Sequence, residues 1–358
     1  MKTLILSFIS AFLAVPLAFA AEFNGPIERA ITGYIRPATT EFAESASKLP
    51  DAVVRVCSET NEANVLAFQS TYSEVIERFS RVQFLRFGPL LDEDRLSRLA
   101  FLPDPRGIAQ RQIRKIYAAN DSSVLSVETL RNKSVAVQSL TAFELIAFDK
   151  DTNILLGAGG DDRDFTCAYA LAIAQNTAAI SKAVASDWQD PEGYSKLLLS
   201  GGVENDRFRS SQEALETIYN ALTTGITIAK DQDILPALGT SEQKAKPRRV
   251  PFSRSANGLL YLTGELNGIK DAVFSMDLKA ELPEENHRAL DTLDFEFKNI
   301  ARNLSALQAP LRRMFSEEGN YSKLNAVSFT LSSVHYLMTN GIAGPLGLAG
   351  GFNALDGD

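Results

Sequence analysis

Histidine and cysteine are both scarce in this chain of 358 residues, which contains two of each. The two histidines are His287 and His335, whereas a hydrolytic zinc site usually takes three protein ligands and keeps one position open for water. The sequence also lacks the Gly-x-Ser-x-Gly turn of α/β-hydrolases, the P-loop and the Gly-x-Gly-x-x-Gly fingerprint. These absences leave no standard hydrolase or nucleotide-binding motif on which to base a function.

Basic residues are also in the minority, since 36 lysines and arginines stand against 44 aspartates and glutamates, a formal net charge of −8. A general nucleic-acid binder needs positive charge to neutralise phosphates, so no nucleic acid is expected as a partner. Beyond the amino-terminal segment, no apolar run approaches the ~20 residues that a membrane-spanning helix needs. We therefore expect a chain that is not integral to a membrane.

The amino-terminal segment has the three parts of a secretory signal. Lys2 makes its start basic, a short apolar run follows, and residues 18–20 form an Ala-x-Ala cleavage pattern. A membrane anchor is the alternative, but the apolar run is short for one. We expect residues 1–20 to be removed by cleavage between Ala20 and Ala21.

The two cysteines, Cys57 and Cys167, both lie in the part of the chain that is expected to be exported. In an oxidising compartment a single pair of cysteines is expected to form one disulfide. Two buried free thiols are the alternative, and a metal site at this pair would need further soft ligands close in the sequence. We predict a Cys57–Cys167 disulfide that closes a long loop and stabilises the fold by roughly 2–4 kcal/mol.

Hydrophobic periodicity indicates helices along nearly the whole chain. The clearest pattern lies in 61–86, where apolar residues recur at spacings of three and four, namely Val65, Phe68, Tyr72, Val75, Phe79 and Val82. Strand signals are scarce, and residues 152–156 are the only candidate. Helices are predicted at 26–48 with a bend at Pro37, and at 61–86, 126–148, 165–187, 207–230, 255–275, 285–308 and 320–340.

Four of these predicted helices precede residue 195 and four follow it. The equal count predicts an all-α fold of two four-helix bundles, an N-terminal bundle over 21–195 and a C-terminal bundle over 196–358. A long surface loop is predicted over 236–251, a polar segment that contains Lys244, Lys246, Arg248 and Arg249.

A single glutamate interrupts the apolar helix predicted over 126–148. Residues 134–149 read Ser-Val-Ala-Val-Gln-Ser-Leu-Thr-Ala-Phe-Glu-Leu-Ile-Ala-Phe-Asp, with Glu144 in an otherwise apolar run. A buried carboxylate is destabilising unless it is paired or hydrogen-bonded. Two compact basic motifs lie upstream, Arg86-Phe-Gly-Pro89 and Pro103-Asp-Pro-Arg-Gly107.

The phrases VQSLTAFE, LRFGPL and FLPDPRG and the terminal GFNALDGD resemble the imelysin-like family of bacterial envelope proteins, over nearly the whole chain after the signal. The resemblance implies two helical bundles that meet at a cleft, a periplasmic location and a part in iron acquisition. The family is often classed as metallopeptidases, and its signature is Gly-x-His-x-x-Glu. Here Glu144 matches the signature, whereas Ser139 replaces the glycine and Thr141 replaces the histidine.

The replaced histidine decides what the motif is expected to do. Residues three apart share one face of a helix, so His-x-x-Glu presents an imidazole and a carboxylate together, a pair suited to zinc or iron. A threonine hydroxyl is a poor substitute, so we predict no competent zinc-peptidase site, no metal ligand set and no catalytic residue. The resemblance implies the following binding candidates at the cleft: Arg86, Asp104, Arg106, Gln138, Ser139, Thr141, Glu144, Arg254 and Ser255.

We therefore predict a periplasmic binding or scaffold protein linked to iron acquisition, whose partner is a small ligand, a metal or an envelope protein. No cofactor is assigned, and iron or another divalent cation is left open. Arg86 and Arg106 are expected to pair with Glu144, and a purely structural role of this network is left open as well. Two further functions are open: a metallopeptidase with an atypical metal site that uses His287 or His335, and an adhesion or interaction module of the envelope.

Overall fold

Helices make up the regular structure of the residues that the computed structural model describes, 22–307 and 311–348. The predicted signal with its cleavage site and the terminal GFNALDGD motif lie outside these ranges. Within the described ranges the only β-type pairing is an isolated bridge between Phe148 and Ile154, so the all-α prediction is confirmed. No helix in this part of the chain is long and apolar enough to cross a membrane.

The α-helices of the described residues vary from one turn to 27 residues in length. In chain order they are α1 (Asn24–Ala30), α2 (Arg36–Ser47), α3 (Leu49–Ser58), α4 (Glu62–Ser80), α5 (Arg95–Leu99), α6 (Ile108–Ala119), α7 (Val127–Leu130), α8 (Leu140–Ala147), α9 (Arg163–Gln189), α10 (Tyr194–Leu199), α11 (Ser211–Ile228), α12 (Leu235–Leu238), α13 (Gly258–Ser275), α14 (His287–Ser305) and α15 (Asn320–Tyr336).

Three π-helices occur among the described residues, each with a proline two residues beyond its end. They span Ile31–Ile35 before Pro37, Ala229–Ile234 before Pro236, and Leu337–Ala343 before Pro345. A proline has no N–H and its ring crowds the carbonyl four residues earlier, so a wider turn fits there. After the first π-helix, for example, the Arg36 N–H bonds to the carbonyl of Ile31. The bend predicted at Pro37 takes this form.

The long helices pack in two groups of four. The first group consists of α2, α3, α4 and α9, and the second of α11, α13, α14 and α15. Helix α4 packs against α13 and joins the groups, and the buried apolar side chains of both groups belong to one continuous core. The prediction of two helical bundles is therefore confirmed, while the division of the chain into separate domains at residue 195 stays a prediction.

The contact between α4 and α13 is close because glycines of α13 face the end of α4. A Cβ at Gly264 would overlap the Ser80 hydroxyl, and a Cβ at Gly268 would lie 2.6 Å from the hydroxyl of Tyr34. Residues four apart lie on the same face of a helix, so both glycines serve one contact. Only residues without a Cβ allow the two backbones to approach this closely.

The single long helix predicted over 126–148 is wrong. The segment divides into α7, a 3₁₀-helix at Val135–Val137, and α8. Serine hydroxyls begin the later two elements, since Ser134 accepts the N–H of Ala136 and Ser139 accepts the N–H of Ala142. Serine favours such capping bonds over a helix interior. The fourth helix of the first group is instead α3, which lies between the predicted helices 26–48 and 61–86 and was not predicted.

The predicted disulfide is confirmed. Cys57 at the end of α3 is bonded to Cys167 near the start of α9, with their Cα atoms 6.0 Å apart. Two further contacts join the same segments: the Thr60 hydroxyl donates to the Gly157 carbonyl over 2.9 Å, and the Arg163 guanidinium donates to the Cys57 carbonyl. The bond therefore ties together two helix ends that also meet through hydrogen bonds.

Candidate functional site

A cavity of about 800 Å³ lies between residues of the first and second halves of the chain. The first half contributes the loop from Phe101 to the start of α6 and one face of α8. The second half contributes part of the π-helix before Pro236 and the segment 245–254. This cavity corresponds to the predicted cleft. Segment 245–254, which begins within the surface loop predicted over 236–251, forms one of its walls.

Glu144 joins the two halves at this cavity. The residue is 8% exposed, and its Oε1 accepts the Ser255 N–H over 2.6 Å and the Ser255 hydroxyl over 2.8 Å. The network continues into α4, because the Asn257 amide donates to the Ser255 hydroxyl and accepts a bond from Ser73. The predicted buried and hydrogen-bonded carboxylate is thus present, with serine donors from the second half.

The turn that carries Ser255 has an uncommon backbone. Phe252 and Ala256 have φ values of 56° and 65°, a region that residues other than glycine seldom adopt. Packing supports this turn, since the buried Phe252 ring lies 5.2 Å from the ring of Tyr261 and the Asn257 N–H bonds to the Phe252 carbonyl. Backbone strain of this kind persists where surrounding contacts enforce it, often at functional sites. Its effect here is to direct Arg254 and Ser255 toward the first half of the chain.

The residue at the position of the signature histidine holds a loop. The Thr141 hydroxyl accepts the Phe101 N–H over 3.3 Å and lies 2.8 Å from the Ser139 hydroxyl, which caps α8. Asp104 in the same loop accepts the N–H groups of Ile108 and Ala109, which begin α6. Thr141 and Asp104 line the cavity. Both side chains therefore stabilise the local fold there through hydrogen bonds to backbone N–H groups.

Three of the predicted site residues lie elsewhere. Gln138 is buried behind α8, where it accepts bonds from Arg98 and Asn176. Arg106 is exposed and does not line the cavity. Arg86 lines a smaller cavity of about 70 Å³ and contacts Gln83 rather than the loop at Glu144. The structure therefore brings together Asp104, Ser139, Thr141, Glu144, Arg254 and Ser255, and their role in binding stays a prediction.

A second buried carboxylate cluster was missed from the sequence. Asp233 and Glu265 are 4% and 0% exposed, and Gln83 donates to Glu265. Burial raises the pKa of Asp233 to about 7, and burial together with the charge of Asp233 raises the pKa of Glu265 further above its usual range. The two carboxyl groups lie within reach of a mutual hydrogen bond, and the Arg86 charge lowers both pKa values in part.

This cluster connects the two cavities, because Asp233 lines both of them. Asp233 lies on the second π-helix, an element that often accompanies functional sites, and Glu265 lies on α13. The sequence did contain a signal for it. Glu265 interrupts an apolar helix in the same way as Glu144, so the argument that singled out Glu144 applies to both residues.

The donors at the signature position do not fit a zinc ion. Helix α8 presents the Thr141 hydroxyl beside Glu144, and both groups are engaged in hydrogen bonds to other segments. A hydroxyl is a weak ligand for zinc compared with imidazole or thiolate. Across the described ranges, no group of three or more histidine, cysteine, aspartate or glutamate side chains is arranged to hold a metal ion.

We expect Glu144→Ala to lower the free energy of unfolding by roughly 2–3 kcal/mol, because it leaves the Ser255 N–H without its acceptor. Glu144→Gln keeps an acceptor oxygen and should cost about half as much. Urea denaturation with Ser255→Ala and the double variant provides the control, since the two effects should be clearly non-additive. Ser255→Ala keeps the backbone N–H, so additive losses would mean that the hydroxyl bond contributes little, whereas no loss in Glu144→Ala would mean that both bonds contribute little.

A family model and two solved structures match this chain. A family model described as Imelysin, Peptidase_M75, matches residues 30–336. An imelysin-like protein from Psychrobacter arcticum 273-4 has a similar structure, with a TM-score of 0.74 and 18% identity over 92% of this chain and 97% of that one. A putative iron-regulated protein A precursor from Parabacteroides distasonis ATCC 8503 gives a TM-score of 0.69 and 13% identity over 90% and 97%. A comparison with curated proteins gives no match.

Proposed function

Because the chain belongs to the imelysin family, we propose that it is a periplasmic binding protein linked to iron acquisition and that it has no zinc-peptidase site. The iron link is supported by the similar fold of a protein described as iron-regulated. The periplasmic location is supported by the signal pattern at residues 1–20. The proposed binding site is the cavity beside Glu144, whose volume suits a small organic ligand.

One observation carries the proposal that zinc is not bound at the signature. Thr141 stands where the family signature has histidine, and its hydroxyl accepts a bond from the loop at Phe101. This hydrogen bond holds in place the loop that forms part of the cavity wall. A zinc ion at Glu144 would therefore lack its imidazole ligand and would also have to displace the donors of Ser255.

The metallopeptidase alternative would need one of the two histidines. His287 lies at the start of α14, where its ring nitrogen is 3.1 Å from the Leu282 carbonyl. His335 on α15 is half-buried, and burial lowers its pKa. Neither lines the cavity at Glu144. No observation favours this alternative, or the adhesion module, over a binding protein.

Restoring the signature tests the proposal. We expect the parent protein to bind zinc negligibly in calorimetry, and Thr141→His combined with Ser139→Gly to bind at least roughly a hundredfold more tightly, since an imidazole then faces Glu144 one turn away. Thr129→His is the matched control, because it adds a histidine to an exposed helix without a carboxylate one turn later.

Two results would decide against the proposal. The first is tight, stoichiometric zinc binding by the parent that is lost in Glu144→Ala. The second is zinc-dependent peptide cleavage by the parent that a chelator abolishes and added zinc restores. Either result would favour the metallopeptidase over the binding protein.

A further inference from the structure

The basic wall of the cavity consists of Lys246, Arg248, Arg249 and Arg254, four cations within nine residues of chain. In the part of the chain that the structure describes, none of the four has a carboxylate within 4.0 Å, although many other surface lysines and arginines do. Arg254 is half-buried, and among the described residues its guanidinium donates to the Phe148 carbonyl. The other three are exposed. Arg254 also interacts electrostatically with Asp149, so the positive charge that lacks a nearby carboxylate among the described residues lies at Lys246, Arg248 and Arg249.

The cavity is positive in a chain that is negative as a whole. Its lining holds these four cations and three acidic residues, Asp104, Glu144 and Asp233, whereas the formal charge of the chain is −8. The acids have other surroundings: Asp104 accepts two N–H groups, Glu144 accepts two bonds from Ser255, and Asp233 is buried beside Glu265. A concave surface with local positive charge concentrates anions from solution.

Hydrogen bonds and packing hold the backbone of the basic wall in place. The Lys246 N–H bonds to the Ala237 carbonyl over 2.6 Å, and the Ser253 hydroxyl bonds to the Arg248 carbonyl over 3.0 Å. Val250 and Phe252, which lie between Arg249 and Arg254 in the sequence, are buried in the core. Anchors on both sides therefore fix the segment, and the cationic side chains remain on its cavity face.

We propose that the basic wall binds a small organic anion with two or more carboxylate groups. This inference deepens the proposed binding function and rests on it. Guanidinium groups bind carboxylates through paired hydrogen bonds, and arginines at two depths fit a ligand with separated carboxylates. Arg254 meets one carboxylate at the inner end, while Arg248 and Arg249 meet the other near the opening. Apolar residues of the lining, among them Phe101, Leu145 and Val250, contact the carbon skeleton.

Citrate is the probe, with acetate and inorganic phosphate as comparison ligands, in calorimetry at low ionic strength. We expect citrate to bind the full-length protein at least roughly tenfold more tightly than acetate or phosphate, and more weakly as salt is added. Arg248→Gln/Arg249→Gln should weaken citrate binding roughly tenfold or more. Arg254→Lys keeps the charge but loses the paired hydrogen bonds, so a smaller loss is expected.

The matched control is Arg288→Gln/Arg302→Gln, which removes the same charge from exposed positions on α14. It should leave citrate binding unchanged, and thermal unfolding should confirm that every variant is folded. The inference is overturned if the folded parent does not bind citrate, if acetate or phosphate binds equally well, or if the control loses as much affinity as the wall variant. The zinc titration does not depend on any of these results, so it tests the proposed function separately.

Discussion

Replacing Cys57 and Cys167 with serine is expected to lower the free energy of unfolding by roughly 4–5 kcal/mol, above the roughly 2–4 kcal/mol of a typical disulfide, because the closed loop is long. The disulfide joins residues 110 apart in sequence, so it restricts a long loop of the unfolded chain. In the folded state the same segments stay together through the bonds from Thr60 and Arg163 to backbone carbonyls. We therefore expect the variant to fold normally and to unfold at a lower urea concentration.

Reduction provides the control for this prediction. Dithiothreitol should shift the urea midpoint of the parent toward that of the double serine variant and should not change the variant itself. If the variant and the oxidised parent unfold at the same midpoint, the loop is already restricted in the unfolded state and the estimate is wrong.

The second large effect concerns pH and the carboxyl pair. Asp233→Asn is expected to make the protein more stable than the parent above neutral pH, by an amount on the order of 4 kcal/mol, and to have little effect near pH 4. Burial raises the pKa of Asp233 from 3.8 to about 7 in the folded state. Between these values the folded state binds more protons than the unfolded state, so the stability contributed by this group falls as pH rises.

Urea denaturation at a series of pH values from 4 to 8 gives the difference in unfolding free energy between the variant and the parent. Asp231→Asn is the matched control, since Asp231 lies on the same π-helix but is exposed. Its difference from the parent should remain nearly constant over this range. A constant difference for Asp233→Asn as well would show that the pair is ionised in solution or that solvent reaches it.

The helical fold can be predicted from the sequence because apolar periodicity reports directly on buried helix faces. Phe68, Tyr72, Val75 and Phe79, taken from the periodicity alone, are all buried. Periodicity fails in 126–148, where Ser134 and Ser139 cap the starts of two new elements while the apolar pattern continues. Local capping, rather than hydrophobicity, sets the boundaries there.

The candidate site can be predicted only in part, for a physical reason. Glu144 stands out because a carboxylate in an apolar helix needs a partner, but the sequence does not identify Ser255, which lies 111 residues away. Arg86 was assigned to Glu144 on the basis of a resemblance, whereas the fold places it beside Asp233 and Glu265. Pairings between distant segments depend on how helices cross, which local patterns do not encode.

Opening of the cavity by rotation of one helix group against the other is expected to be strongly unfavourable. Hinge and shear motions need a linker that bends or an interface that slides. At the joint between α4 and α13, Gly264 and Gly268 bring the backbones into contact, and Glu265 between them is bonded to Gln83 from the other group. Ligand exchange is therefore expected to need only movement of exposed side chains such as Arg248 and Arg249, while the two helix groups and the backbone of segment 245–254 remain a rigid frame.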